Sequence, residues 1–301
     1  MVSLVTGSGG FIGSWLVEHM ERLGHTVVRM SRSEPNPVDL LDEQAVRGVI
    51  SNTRPDWIFH LAAQSLPRVS WADPAGTFRA NVDGTVNLLE AVRAAGITPS
   101  IIVAGSSSIY RQRPDGSPIR EDDPAGPLSP YAVSKLAEEH LARVYAQKYG
   151  MRVTAVRPFF LIGPRKSGDV CSDFARGIVA VERGRAPDLP VGNTRVVRDF
   201  LDVRDGVRAL VLVAEKGRPG SVYNICSGHG YEIDDVLQRF KKMSSIPVRE
   251  REDAALMRPI DEAVKVGDAT RLKSLGWQPE RDMDGTLCEI LEYWRAEERA
   301  A

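Results

Sequence analysis

Three polar side chains in the middle of the chain have the types and spacing of a proton-exchange site. Tyr131 and Lys135 lie four residues apart in SPYAVSKLAEE, and Ser106 follows the apolar run IIVA in the stretch GSSSIYR. Ser129 and Pro130 suit the first turn of a helix. On that helix Tyr131 and Lys135 share one face. Because an ammonium lowers the pKa of a neighbouring phenol, such a tyrosine can exchange a proton near neutral pH.

A glycine-rich loop near the start of the sequence predicts a nucleotide site. The segment TGSGGFIG follows an apolar strand and places Gly7, Gly10 and Gly13 at three-residue intervals, while Phe11 and Ile12 open a helical pattern. Glycines at these points allow a tight turn and let helix N–H groups approach a pyrophosphate. We therefore expect a dinucleotide cofactor at this loop.

The end of the second strand favours NADP(H) over NAD(H). Arg32, between Ser31 and Ser33, stands where an acidic residue would bind the ribose 2′-OH of NAD, and the first carboxylate is that of Glu34. An arginine there can pair with a 2′-phosphate. The alternative is an exposed loop arginine without a ligand, so NAD(H) stays the second choice.

Two further segments are candidates for contact with the cofactor. Asp39 and Leu40, after a short third strand, are expected to flank the adenine. Leu61, Ala62 and Ala63 follow the strand DWIFH and supply small side chains where a backbone has to pass close to the cofactor. A solvated aspartate or a packed alanine pair would give the same pattern.

The hydrophobic pattern predicts the scaffold that positions these residues, a Rossmann-type doubly wound parallel sheet of the α/β class. Apolar runs alternate with amphipathic stretches as far as Pro158, which is the rhythm of βαβ units. Helices are expected over 11–23, 42–52, 75–95, 129–149, 173–183, 203–215 and a tail ending near Arg299. Residues 1–160 and about 196–225 are assigned to an NADP(H)-binding domain. Residues from about 161–195 and 226–301 are assigned to a smaller C-terminal α/β lobe for the substrate.

Composition favours a small molecule as the partner. A chain of 301 residues, 43% of them hydrophobic, can bury a sizeable core, and the formal charge of −1 offers no basic surface for nucleic acid or an anionic membrane. The cysteines are far apart and the histidines lack ligand spacing, so no metal is assigned, and His60 is interpreted as a strand-end residue near the cofactor. Without a signal peptide or an apolar run of the ~20 residues of a membrane helix, a soluble cytoplasmic protein is expected.

TGxxGFIG, HLAA, a strand-end serine and YxxxK together resemble the extended short-chain dehydrogenase/reductase family, in its nucleotide-sugar branch, over essentially the whole chain. Strand-end hydroxyls often only bond the turning backbone, so the residues alone leave open which serine acts. In that family the hydroxyl residue lies four before a tyrosine that precedes the catalytic tyrosine by 21 positions. Tyr110 and Tyr131 have this interval, which selects Ser106. The resemblance implies that Ser106 binds a sugar C4 oxygen, that Tyr131 exchanges the proton and that Lys135 holds the ribose.

Six separated segments resemble, in order and spacing, the bacterial GDP-4-keto-6-deoxy-D-mannose reductases of that family. They are HLAAQS, SPYAVSK, VCSDFARGI, VGNTRVVRDFLDVRD, MRPID and VGDATRLKSLGW. The resemblance implies NADP(H)-dependent reduction of the C4 ketone of a GDP-4-keto-6-deoxyhexose, giving GDP-D-rhamnose or its C4 epimer. Arg198 and Arg258 are then expected to hold the GDP diphosphate. Further candidates for substrate contact are Ser107, Asn193, Arg195 and Asp261.

Two departures from the family pattern bear on the reaction. Ser107 and Ser108 stand where 4,6-dehydratases of the family carry an acid-bearing pair, and hydroxyls cannot replace a carboxylate as general base. Phe160 stands where relatives carry an asparagine, which removes a polar contact near the substrate phosphates, and Arg111 replaces a glycine after Tyr110. A GDP-mannose 4,6-dehydratase, an NDP-sugar 4-epimerase and an NADP-sensing regulator remain the alternatives.

The helices 75–95 and 129–149 carry many alanine, leucine and valine residues. The family commonly pairs these two helices across a dimer interface, so the resemblance implies a homodimer. Burial of the same residues within one subunit would give the same pattern, and the sequence does not separate the two cases.

Overall fold

A computed structural model describes residues 1–35, 37–113, 115–257 and 262–300. The strands of these residues are β1 (Val2–Thr6), β2 (Thr26–Met30), β3 (Trp57–His60), β4 (Ser100–Ala104), β5 (Val153–Pro158), β6 (Phe160–Ile162), β7 (Leu189–Val191), β8 (Val197–Arg198), β9 (Phe200–Asp202), β10 (Val222–Ile225), β11 (Tyr231–Glu232), β12 (Glu250–Glu252) and β13 (Val264–Lys265).

The helices are α1 (Phe11–Arg22), α2 (Glu43–Thr53), α3 (Pro67–Ala72), α4 (Pro74–Phe78), α5 (Gly84–Ala94), α6 (Pro130–Tyr149), α7 (Val170–Glu182), α8 (Val203–Lys216), α9 (Ile233–Met243), α10 (Thr270–Lys273) and α11 (Met283–Ala300). A π-helical turn over Arg79–Asp83 joins α4 to α5, so the predicted helix 75–95 is one helical segment with a wide turn inside it. Short 3₁₀ turns lie at Ser107–Ile109 and Ala254–Leu256.

Six of the strands form one parallel sheet in the order β10-β5-β4-β3-β1-β2, which confirms the predicted fold class. The chain leaves β1 towards β2 on one side and leaves the neighbouring β3 towards β4 on the other, so the connections after these two adjacent strands run in opposite directions. A crevice opens beyond the carboxyl ends of such strands, and it is the usual ligand site of open α/β sheets. The glycine loop after β1 and the HLAA segment at the end of β3 lie at this crevice.

Apolar helix faces cover both sides of the sheet, which is why its strands are continuous hydrophobic runs. On one side, α1 and α8 pack through residues such as Leu16 and Leu210, while on the other α2, α5 and α6 pack through residues such as Ile50 and Leu88. A separate apolar cluster joins α7, α9 and α11. These three helices belong to the residues assigned to the substrate lobe, whereas Trp277, which was assigned to the same lobe, packs with the sheet. The division into two domains stays a prediction.

Several elements differ from the sequence interpretation. No strand occurs among the described residues between β2 and α2, so Asp39 and Leu40 follow a turn rather than the expected third strand. Proline at positions 35 and 37 explains the difference, because proline lacks the N–H that a strand ladder needs. The helices α3 and α9 were not predicted. No helix of the described residues is long and apolar enough to span a membrane.

Candidate active-site cleft

One cleft of about 1350 Å³ runs from the glycine loop across the carboxyl ends of the strands to the segment around β8. The predicted site residues that line it are Gly7, Gly10, Phe11, Ile12, Gly13, Arg32, Asp39, Leu40, Leu61, Ala62, Ala63, Ser106, Ser107, Tyr131, Lys135, Asn193 and Arg198. Arg195 lines a smaller neighbouring pocket of about 540 Å³. Arg258 and Asp261 lie outside the described residues. The cleft therefore joins the proposed cofactor residues to most of the proposed substrate residues.

The glycine loop has the close backbone approaches that the sequence predicts. Gly7 has a φ of +68°, and a Cβ there would lie 2.8 Å from the backbone nitrogen of Ala62. At Gly13 a Cβ would lie 2.1 Å from the carbonyl oxygen of Gly7. Helix α1 begins directly after Gly10, and no side chain caps it. The first N–H groups of the helix therefore face the cleft without a side-chain acceptor. A pyrophosphate fits such a helix end.

A buried histidine fixes the junction of β1 and β3 behind the loop. The Thr6 hydroxyl oxygen accepts hydrogen bonds from the backbone N–H groups of Leu61 and Ala62, both at 3.1 Å. His60 contacts Thr6 through Nδ1 at 2.9 Å and Thr85 through Nε2 at 2.9 Å. Burial and the Lys135 charge lower the pKa of His60 to about 3, so its ring stays neutral. His60 supports the cleft from behind and does not line it.

Arg32 is an exposed cation at the adenosine end of the cleft. Its side chain forms no salt bridge to any residue of the described ranges. Ser31 and Ser33 flank it with their hydroxyl oxygens 2.9 Å apart, and the Ser33 hydroxyl lies over Gly9. The nearby Glu34 accepts a hydrogen bond from Ser8 at 2.8 Å and so faces the glycine loop. This set offers a guanidinium and hydroxyl donors to an anion.

The two residues expected beside the adenine differ in character. Asp39 is exposed and accepts a hydrogen bond from the backbone N–H of Leu41 at 3.0 Å, as in a local turn. Leu40 is buried and packs against Gly84 at the start of α5. Both residues line the cleft. The Leu40 side chain can therefore provide an apolar contact for the adenine, whereas the Asp39 carboxylate stays in solvent.

Ser106 is held at the end of β4 by the serine two positions later. Its hydroxyl oxygen accepts hydrogen bonds from the backbone N–H of Ser108 at 3.1 Å and from the Ser108 hydroxyl at 2.9 Å. The turn-forming role that strand-end serines often have is therefore present, but the Ser106 proton remains available for donation. Two accepted hydrogen bonds polarise a hydroxyl and strengthen its donation. Ser108 thus holds the Ser106 hydroxyl, a contact that the sequence interpretation did not anticipate.

Tyr131 and Lys135 lie on the first two turns of α6, as their spacing predicts. The Ser129 hydroxyl oxygen accepts a hydrogen bond from the Ala132 N–H at 3.1 Å and so caps the helix. Lys135 is buried, and its Nζ donates to both carboxylate oxygens of Glu138, at 3.1 and 2.8 Å. Both Tyr131 and Lys135 line the cleft.

A buried asparagine that the sequence interpretation missed ties α6 to the loop after β3. Asn81, in the π-helical turn, donates from Nδ2 to the Ser134 hydroxyl oxygen at 2.8 Å and to the Gln64 carbonyl at 3.1 Å. Its Oδ1 accepts from the Gln64 N–H at 2.7 Å. Through these hydrogen bonds, Asn81 in the wide turn holds α6, the helix that carries Tyr131. No local sequence signal distinguishes a π-helical turn from an ordinary one.

Cations from two neighbouring strands line the substrate end. Arg198 is buried, donates to the carbonyl oxygens of Val197 and Glu262, and has its guanidinium carbon 5.6 Å from the ring centroid of Phe160. Phe160, which stands where the family pattern has asparagine, therefore offers the guanidinium a cation–π contact. Lys265 is the register partner of Arg198 in the parallel pair β8–β13 and also lines the cleft.

Lys265 was not predicted as a site residue. Its Nζ lies 2.6 Å from a carboxylate oxygen of Glu262, and burial lowers its pKa while Glu262 opposes that shift. The strand of only two residues that carries it offers no pattern from which a binding lysine could be inferred. Among the described residues no group of histidine, cysteine and carboxylate side chains could hold a metal ion.

Comparison with known proteins agrees with this geometry. The NAD dependent epimerase/dehydratase family model matches residues 3–226. The GDP-6-deoxy-D-mannose reductase of Pseudomonas aeruginosa is 34% identical over 98% of this chain and 97% of its own. The solved structure of RMD from Pseudomonas aeruginosa, in complex with NADPH, superimposes with a TM-score of 0.91 at 33% identity, covering 98% of this chain and 99% of that one. The chain belongs to the NAD dependent epimerase/dehydratase family.

A solved structure whose named activity differs from that of the reductase relative has a similar overall fold. The UDP-glucose 4-epimerase of Thermotoga maritima, solved with UDP-glucose, has a TM-score of 0.89 at 27% identity and covers 99% of this chain and 100% of its own. The family name implies a nicotinamide dinucleotide, and the uncapped first turn of α1 after Gly10, which lines the cleft, fits its pyrophosphate. The fold is thus common to a reductase and to an epimerase, and the reaction has to be argued from individual residues.

Proposed function

We propose that the protein uses NADPH to reduce the C4 ketone of a GDP-4-keto-6-deoxyhexose, giving GDP-D-rhamnose or its C4 epimer. One observation carries the proposal: a single cleft joins the glycine loop and Arg32 to Ser106, Tyr131 and Lys135. The cations Arg198 and Lys265 line its far end. The relative named GDP-6-deoxy-D-mannose reductase supports the assignment over almost the whole length of both chains.

The side chains of the cleft divide the work of ketone reduction. A bound NADPH supplies the hydride. Ser106 donates a hydrogen bond to the C4 oxygen and stabilises the charge that develops there, with its own orientation fixed by Ser108. Tyr131 gives its phenolic proton to that oxygen, and Lys135 binds ribose hydroxyls and promotes the proton transfer through its charge. A reduction needs no general base on the sugar carbons, which accords with serine at both 107 and 108.

The proposed substrate contacts hold the nucleotide so that the ketone reaches the reaction centre. Arg198 and Lys265 bind the diphosphate, since guanidinium and ammonium groups are the usual partners of phosphate. Ser107 contacts the sugar. The remaining candidates for base, ribose, sugar or diphosphate contact are Asn193, Arg195, Arg258 and Asp261. Held in this way, reacting atoms reach the separation of about 3–3.5 Å that hydride transfer requires.

NADP(H) is the proposed cofactor, with NAD(H) as the second choice. The exposed Arg32 supports it, because a guanidinium without a carboxylate partner can pair with the 2′-phosphate that NAD lacks. Ser31 and Ser33 supply hydroxyl donors beside it. The NADPH in the solved RMD structure is consistent with this choice.

A cytoplasmic homodimer is the proposed assembly. The helical segment 74–94 and α6 pack together and leave apolar side chains exposed, among them Phe78 at 37%, Val133 at 40% and Val144 at 52%. Pairing these helices with those of a second copy would remove this apolar surface from water. Light scattering on the purified protein tests the assembly, and a monomer at micromolar concentration would overturn it.

The test of the proposed reaction is NADPH oxidation in the presence of GDP-4-keto-6-deoxy-D-mannose. We expect loss of NADPH in equal amount to the deoxyhexose formed, with product identification deciding the C4 configuration. A 4,6-dehydratase or a 4-epimerase recycles its hydride and would convert substrate without consuming NADPH. A regulatory protein would bind NADPH and convert nothing. Either result would overturn the proposal.

A further inference from the structure

A buried ion pair joins the proposed catalytic lysine to a glutamate one helical turn later. The side chains of Lys135 and Glu138 are 4% and 0% exposed, and the shorter distance from Nζ to the carboxylate is 2.8 Å. Among the described residues, Glu138 has no hydrogen-bond partner other than Lys135. The carboxylate therefore acts on the ammonium and on nothing else that the described residues provide.

The neighbouring glutamate has a different partner and provides the contrast. Glu139 accepts hydrogen bonds from Arg157 on β5 at 2.7 and 2.6 Å, and Arg157 also reaches the carbonyl oxygen of Glu121. That pair bridges α6 to the sheet. Glu138 makes no such bridge, because both its bonds return to the helix that carries it. Its place in the fold is explained by Lys135 alone.

The other charged groups of the elements packed on α6 have partners of their own or face solvent. His60, behind Lys135, is held neutral, and the Arg157 charge is matched by Glu139. On α5, Glu90 binds Arg93 and Tyr145. The exposed charges of α3 and the π-helical turn are those of Arg68, Arg79 and Asp83. Lys135 is thus the charge that Glu138 meets.

Burial raises the pKa of Glu138 to about 7, with the Lys135 ammonium opposing the shift. When the carboxyl is ionised it offsets the ammonium, and when it is protonated the ammonium acts on its surroundings in full. An ammonium favours an ionised phenol, whereas a carboxylate favours the protonated phenol.

We infer that Glu138 is a positioning residue that offsets the Lys135 charge and so keeps Tyr131 protonated at alkaline pH. This inference rests on the proposed function, because a ketone reductase must begin each turnover with the proton still on its tyrosine. A dehydrogenase acting on an alcohol needs the phenolate instead. Glu138 thereby biases the catalytic pair towards reduction and extends the pH range over which Tyr131 can donate.

The test is the pH dependence of kcat in the Glu138→Gln variant, which has the same shape without the charge. We expect the alkaline limb of the profile to move to lower pH by about one unit, the size expected for one charge acting over several ångströms in a partly buried site. Because Tyr131 is protonated at acidic pH in either protein, the two should differ least there. An alkaline limb that stays in place overturns the inference.

Two further variants separate charge from packing. Glu139→Gln removes an equally buried carboxylate from the adjacent position, and we expect it to lower the thermal midpoint while leaving the alkaline limb in place. Glu138→Asp keeps a carboxylate and should restore much of the wild-type limb. A limb that moves equally in Glu138→Gln and Glu139→Gln, or that Glu138→Asp fails to restore, contradicts a specific action of Glu138 on the pair.

A second measurement needs no substrate. The ultraviolet absorbance of phenolate is titrated in the protein and in its Tyr131→Phe variant, and the difference isolates Tyr131. Repeating the pair in the Glu138→Gln background should move the Tyr131 midpoint to lower pH, and an unmoved midpoint overturns the inference. If the wild type reduces no ketosugar nucleotide, the proposed function fails, yet this titration still decides the action of Glu138.

Discussion

The two ends of the cleft are built from different parts of the chain. At the cofactor end the surface is backbone, shaped by Gly7 and Gly13 against the carboxyl ends of β1 and β3. At the substrate end the surface is made by the side chains of Phe160, Arg198 and Lys265, which come from three separate segments. The fold around the first end is shared with proteins whose named reactions differ, and at the second end Phe160 departs from the family pattern.

The comparison teaches which part of a site can vary. A backbone cradle accepts no side chain without losing its shape, so its sequence is constrained to glycine. Side chains that converge from distant strands can be exchanged singly. The contact between the Arg198 guanidinium and the Phe160 ring is an arrangement of this second kind.

The largest expected effect is a loss of kcat on substitution of Tyr131, which lies between the two ends of the cleft. Tyr131→Phe should lower kcat about 10²- to 10⁴-fold, because it removes the proton donor. The affinity for NADPH should stay within a few-fold of wild type, since the cradle is untouched. Steady-state kinetics and NADPH titration by fluorescence check both values. A regulator that only binds NADPH would keep its output in this variant, which would contradict an enzymatic role.

A matched pair of glycine substitutions tests the cradle. Gly7 and Gly24 both have positive φ, +68° and +79°, but a Cβ at Gly24 meets no atom within 4 Å. Gly24→Ala should cost only the backbone strain, about 1 kcal/mol of unfolding free energy. Gly7→Ala adds a clash with the Ala62 backbone. We expect it to cost about 3 kcal/mol of unfolding free energy and also to weaken NADPH binding. Equal losses in the two variants would show that the close approach at Gly7 is unimportant.

Arg32→Ala tests what distinguishes one dinucleotide from the other at the cofactor end. Loss of a charge-assisted pair with the 2′-phosphate should weaken NADPH binding about 10- to 100-fold. NADH, which lacks that phosphate, serves as the internal control and should bind almost unchanged. Parallel titrations with the two cofactors measure the ratio, and an equal effect on both would refute a 2′-phosphate contact.

Lys265→Met tests the substrate end. Removal of one cation from the diphosphate site should raise KM for the nucleotide sugar about 10-fold and leave the KM for NADPH unchanged. Lys241→Met is the control, since Lys241 pairs with Glu250 outside the cleft. If both variants behave alike in steady-state assays, Lys265 is not a substrate residue and the two ends differ less than proposed.

The smallest expected effect is that of Ser108→Ala. It removes one of the two hydrogen bonds that hold Ser106, and the backbone N–H of Ser108 keeps the other. We expect kcat to fall about 3- to 10-fold, in keeping with one hydrogen bond of about 0.5–1.5 kcal/mol. Ser106→Ala in the same kinetic assay should lose clearly more. Equal losses would mean that Ser106 acts only by forming the turn.

Patterns that depend on neighbouring residues were readable from the sequence. The βαβ rhythm predicted a doubly wound parallel sheet, which the structure and the family match confirm. The Tyr131 and Lys135 spacing placed both on α6 beside one cleft. The helix α9 was missed although its buried residues Ile233, Val236, Leu237 and Phe240 have helical spacing, so its signal was present.

Contacts between distant segments left no readable pattern. Lys265 enters the cleft because β13 pairs with β8 in a register that no local sequence specifies. Glu138 looks like a surface residue in SKLAEEHL, and only the packing of α6 buries it beside Lys135. The role of Asn81 depends on a π-helical turn. The roles of Arg258 and Asp261 stay predictions.

The most direct test of the central claim follows the hydride itself. NADPH doubly deuterated at nicotinamide C4 is incubated with the protein and GDP-4-keto-6-deoxy-D-mannose, and the deoxyhexose is analysed by NMR and mass spectrometry. We predict one deuterium per product molecule, located at sugar C4, with one NADP⁺ formed. Converted sugar without deuterium, together with recovered doubly labelled NADPH, would contradict the account.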